Sequence, residues 1–74
     1  MIEFESISEC FKITGKPGLG GVPVLLHKDM DNFDELIGDT VLVDDEEIFV
    51  IGVERFAHAP PWKEGEAIAL CFRV

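Results

Sequence analysis

Seven glycines and four prolines cut this chain of 74 residues into short apolar runs. That punctuation leaves room for short strands and tight turns, and for little helix. The first run, Ile7 to Thr14, alternates with period two. Ile7, Glu9, Phe11 and Ile13 share one face, and Ser8, Cys10, Lys12 and Thr14 the other, with Glu9 the one misfit. Gly15 to Gly21 is a turn-rich loop. Val22 to His27 reads as a second strand, apolar on both faces, and Pro23 confines it to an edge or a bulge. Phe33, Leu36 and Ile37 stand at i, i+3 and i+4, the spacing of a single helical turn that Asp31 or Asn32 caps.

Gly38-Asp39 opens a third strand, Thr40 to Val43. After the polar turn Asp44-Asp45-Glu46-Glu47 the fourth strand, Ile48 to Phe56, returns, so the two runs make a hairpin. Gly52 inside that strand marks a bulge or a close backbone approach. Ala57 to Gly65 is a loop, and the last strand runs from Ala67 to Val74. There, Ile68, Leu70, Phe72 and Val74 face one way and Ala67, Ala69, Cys71 and Arg73 the other. Five or six short strands suit a small antiparallel barrel or sandwich. Closure protects an apolar strand such as Ile48 to Val53 from edge-to-edge aggregation.

Charge narrows the range of partners. Fifteen acidic side chains stand against six basic ones, a net charge of −9, yet 47% of residues are apolar. The mean hydropathy of +0.22 sets the chain apart from disordered acidic tails, which are poor in apolar residues. The six basic residues are scattered, so non-specific nucleic-acid binding is not expected, nor is an anionic membrane surface. The first residues, Met1-Ile2-Glu3-Phe4-Glu5, lack the basic and long apolar regions of a signal peptide, and no run approaches the ~20 apolar residues of a membrane span. The expectation is one domain, residues 1–74, in the cytoplasm, with Cys10 and Cys71 reduced.

Four segments, in order, resemble the second domain of translational GTPases, the family of elongation factor Tu. They are Phe11-Lys12-Ile13-Thr14-Gly15-Lys16 with the apolar strand after it, Gly38-Asp39-Thr40-Val41, Ile51-Gly52-Val53-Glu54-Arg55-Phe56, and Gly65-Glu66-Ala67-Ile68-Ala69-Leu70. The resemblance implies an all-β fold, a small six-stranded Greek-key barrel with at most one short helical turn. It also implies an alternative function, binding of a tRNA or RNA 3′ end or a nucleotide. Glu54 would then accept bonds from ribose hydroxyls and Phe56 would line a base pocket. If the first and last strands pair as in that family's barrel, Cys10 and Cys71 come near each other on one face.

Other constellations point to no chemistry. Asp29, Asp31, Asp34 and Glu35 crowd one segment, but a calcium loop needs glycine at its sixth position and glutamate at its twelfth, where Asp34 and Thr40 stand. A solvated loop or a weak divalent site remains. His27, His58, Cys10 and Cys71 match no zinc spacing. The glycine-rich loop lacks the Lys-Ser/Thr ending of a phosphate cradle, and no nucleophile–base set stands out, so neither an enzyme nor a cofactor is expected.

The leading expectation is a non-enzymatic binding or adaptor module that engages a protein partner or forms a homo-oligomer. Its anchor is the loop carrying His58, Pro61 and Trp62, with an exposed strand beside it. A stiffened aromatic loses little entropy on binding. The other possibility is that Trp62 folds back to close an open barrel end.

Overall fold

Seven strands form in the computed structural model, which describes residues 1–55 and 59–74. They are β1 (Glu3–Phe4), β2 (Phe11–Lys12), β3 (Leu19–Leu25), β4 (Thr40–Val43), β5 (Glu46–Phe49), β6 (Gly52–Arg55) and β7 (Ala67–Arg73). One sheet has the order β1-β4-β5 and the other β2-β3-β7-β6. Every pairing is antiparallel except β1 with β4. The described residues contain no helix, hence none long and apolar enough to cross a membrane. The all-β expectation is met. The closed six-stranded barrel is not: among the described residues the strands form two separate sheets, of three and four strands, packed about a shared core.

The hairpin forms with a tighter turn than the sequence suggested. Val43 pairs with Glu46 and Leu42 with Glu47, which leaves Asp44 and Asp45 as a two-residue loop. Both have positive φ, 50° and 69°. Two successive left-handed residues give the turn whose twist matches that of the flanking strands. Aspartate tolerates this conformation because its short side chain bonds locally. The Asp44 carboxylate accepts the Ser6 N–H at 3.0 Å and the Ser6 hydroxyl, which ties the N-terminal segment to the turn.

The expected fourth strand divides in two. Val50 still bonds the first sheet, donating its N–H to the Asp39 carbonyl at 2.9 Å, whereas Ile51 donates to Cys71 in β7 at 2.9 Å. The chain therefore changes sheets at one peptide, with Val50 fully buried at the corner. This is how strands of packed sheets turn between layers. The first expected strand shrinks to β2. The Ile7 N–H leaves that run for the Pro23 carbonyl at 2.9 Å, and Ile13 already belongs to the turn over Lys16.

Pro23 lies in an inner strand, contrary to the expected edge or bulge. Its carbonyl accepts from Ile7, on the side away from β7. A strand residue directs N and O to the same side, so the missing N–H removes no bond of the β3–β7 ladder. β2 covers β3 only at Gly20 and Gly21, so Pro23 meets no regular strand on that side.

Strand β3 begins earlier than expected, at Leu19, because Gly20 and Gly21 make room for rings. A Cβ on Gly20 would stand 3.2 Å from Cζ of Phe72, and one on Gly21 only 2.8 Å from Cζ of Phe11. The core unites both layers: Val22, Val24, Ile68 and Leu70 from one sheet, and Phe4, Val41 and Val43 from the other. Phe33 and Leu36 close one end from the predicted turn, where Leu36 and Ile37 both donate to the Phe33 carbonyl. Asn32 acts as its cap, accepting the Asp34 N–H at 3.0 Å.

Candidate functional site

Trp62 belongs to the core. It is 4% exposed and stacks on Phe33 with ring centroids 4.4 Å apart and planes 25° apart. The Arg55 guanidinium stands 5.4 Å from its ring centroid. Two backbone bonds of 2.8 Å join Trp62 to Met30 in an isolated bridge. Trp62 has folded back, and its ring is not an exposed anchor. Pro61 is exposed beside it. The expectations for His58 and Phe56 fall outside the described residues.

Glu54 is an exposed residue of β6 paired with Ala69. It lies near the Cys71 thiol, whose pKa is raised by burial and by the Glu54 charge. Cys10 is exposed, Cys71 is buried, and both are free. They are separated by strand β3, since Phe11, next to Cys10, pairs with Gly21, which pairs in turn with Cys71.

The acidic stretch Asp29–Glu35 is used in packing loops together. Asp29 accepts the Glu64 N–H at 2.8 Å and lies 3.6 Å from the Lys63 ammonium. Glu35 pairs with Lys28 at 2.8 Å. These bonds hold both carboxyls below their ordinary pKa, for Asp29 chiefly the Glu64 N–H and for Glu35 the Lys28 bond. Among the described residues, no three His, Cys, Asp or Glu side chains are grouped to hold a metal ion.

Where the sheets fail to meet, a trough opens between β5 and the segment Ser8–Cys10. One part of it, 400 Å³, is lined by Cys10, Ile48, Phe49, Ile51, Phe72 and the charged residues Glu46, Glu47 and Arg73. A second cavity of 250 Å³ continues it past Glu9 and Asp44, sharing Cys10, Glu46 and Ile48. Phe49 is 55% exposed at its rim. Larger, at 680 Å³, is a hollow lined by Glu3, Glu5, Asp44 and Asp45 around Phe4 and Leu42. It is mostly carboxylate and offers little apolar surface.

The outer edge of β5 faces the trough. Residue pairs flanking a two-residue hairpin loop are hydrogen-bonded, and bonded pairs alternate along the strands. Glu46 and Ile48 therefore turn their backbone groups to β4. Glu47 and Phe49 turn theirs outward. The register agrees on the far side of β4, where the Leu42 N–H bonds Ile2 of the N-terminal segment. No described residue pairs with the outward groups of Glu47 and Phe49.

The sequence held one signal for this site. A two-residue turn at Asp44-Asp45 would have placed Glu47 and Phe49 on the outward parity of β5. The longer turn Asp44–Glu47 concealed it, and the convergence of Cys10 and Phe72 on the same trough depends on tertiary packing. No protein-family model matches this chain, and no curated protein or solved structure matches it either.

Proposed function

We propose that this chain is a non-enzymatic binding module that engages another protein through the trough beside β5. The observation that carries this reading is the unpaired outer edge of β5 next to half-exposed Phe49. An exposed aromatic at the mouth of an apolar trough is the kind of residue on which interface energy concentrates. Unpaired strand groups add directional bonds that a partner backbone can satisfy. The adaptor role thus rests on the exposed strand, with the Trp62 loop supporting it from the core.

The test compares the native chain with Phe49→Asp and with Asp31→Asn, a change remote from the trough. Proteins captured by each are purified and recombined pairwise. The reading requires a purified partner that binds the native chain and Asp31→Asn and is lost from Phe49→Asp, while urea unfolding shows Phe49→Asp still folded. If every partner that reconstitutes ignores Phe49→Asp, the trough is not the binding site.

A further inference from the structure

We propose that the trough accepts an extended segment of another protein as an additional strand along β5, and that this segment carries lysine or arginine beside apolar residues. The proposal rests on the protein-binding reading above and says what the partner looks like.

Backbone geometry gives the extended form. The outward groups of Glu47 and Phe49 point across the trough, and a paired strand would lie about 4.8 Å away. Cys10, Phe72 and Arg73 line the same trough. A visiting strand would fill the gap that keeps the two sheets from joining. Its alternate side chains would meet Ile48 and Phe72 on the inner side and Phe49 on the outer.

Charge gives the composition. Glu9, Asp44, Glu46 and Glu47 line the trough against a single cation, Arg73. Glu46 and Glu47 make no ion pair with a described residue. A second copy of this chain is a poor occupant, because β5–β5 pairing would crowd Glu46 and Glu47 of both copies along one short ladder between molecules each carrying −9. RNA meets the same repulsion. A basic strand gains from the charges that exclude the other two.

The experiment uses two blocked ten-residue peptides with valine and a central phenylalanine alternating with lysine in one and with glutamate in the other. Binding to the intact protein is followed by amide shifts and hydrogen exchange. The lysine peptide should slow exchange at the Glu47 and Phe49 amides and bind Glu46→Lys/Glu47→Lys about tenfold more weakly, whereas the glutamate peptide should leave the trough unchanged.

Lysine-peptide binding without protection of those two amides overturns strand addition. Equal binding of both peptides overturns the charge preference. A doubled mass with the same amides protected in the absence of peptide makes a second copy the occupant and overturns the proposal. If neither peptide binds while a purified partner remains sensitive to Phe49→Asp, this proposal fails and the protein-binding reading stands. If the partner also ignores Phe49→Asp, both fail.

Discussion

Trp62 and Phe33 stack in the core with their ring centroids 4.4 Å apart, although one lies in the loop before β7 and the other in the turn before β4. The pair closes one end of the molecule and joins two irregular segments that share no regular strand. Trp62→Ala should therefore cost about 3 to 5 kcal/mol, a large part of the total stability of a small domain. Urea unfolding followed by circular dichroism measures it. A double-mutant cycle with Phe33→Ala should show a coupling of about 0.5 to 1.5 kcal/mol. A loss below 1 kcal/mol would mean that the ring is not packed as described.

Phe11 depends on a glycine in the same way. Its Cζ leaves only 2.8 Å for a Cβ on Gly21. Because the ring is 40% exposed, it can swing outward. Gly21→Ala should cost about 1 kcal/mol, and that cost should vanish in a Phe11→Ala background. Equal costs in both backgrounds would point to the backbone and not to the ring.

Acid should weaken the fold in two stages. His27 has its pKa lowered by burial and by the Lys28 charge, against opposing pulls from Glu35 and Glu64. Its Nδ1 is buried without a partner, and its ring packs edge-on to Phe4 at 5.3 Å. A lowered histidine pKa favours the folded state above the ordinary value of 6.5. That contribution is lost as pH falls through the folded-state pKa. Asp29, Glu35 and Asp44 are lowered by their hydrogen bonds from the Glu64 N–H, Lys28 and Ser6. Their contributions are present above the ordinary carboxylate pKa and disappear as pH falls through the still lower folded values. The urea midpoint of the native chain relative to His27→Gln should therefore drop first below pH 6.5. Its midpoint relative to Asp44→Asn should drop only in the carboxylate range. A constant difference from His27→Gln across both ranges would refute the histidine contribution.

The two thiols should differ in reactivity. Cys10 is exposed in the trough wall, while Cys71 is buried with its pKa raised. The thiolate is the reactive form, so a maleimide at neutral pH should modify Cys10 well before Cys71. Peptide mass mapping after brief labelling checks this. Bound basic peptide should slow labelling of Cys10 and leave Cys71 unaffected. Equal rates at the two positions in the free protein would contradict the burial of Cys71.

Local patterning carried much of the fold. The apolar run Thr40–Val43, the alternation in Ala67–Val74, the acidic turn, and the i, i+3, i+4 spacing of Phe33, Leu36 and Ile37 each correspond to an element that formed. Those signals are local: side-chain period and turn chemistry act within a few residues. The longer runs Ile7–Thr14 and Ile48–Phe56 do not form single strands, because apolar patterning does not reveal where backbone bonds change partner. Ile7 leaves its run for Pro23, and Ile51 leaves the hairpin for Cys71.

The sequence by itself determined an all-β chain with hydrated acidic connections, since short apolar runs between glycines, prolines and carboxylates can satisfy their backbone only in strands and turns. Tertiary structure alone decided that Trp62 is inside and Phe49 outside. It also decided that the sheets stay apart beside β5. Those outcomes depend on which strands meet after each turn, and that is set by competition among long-range contacts that no single segment encodes.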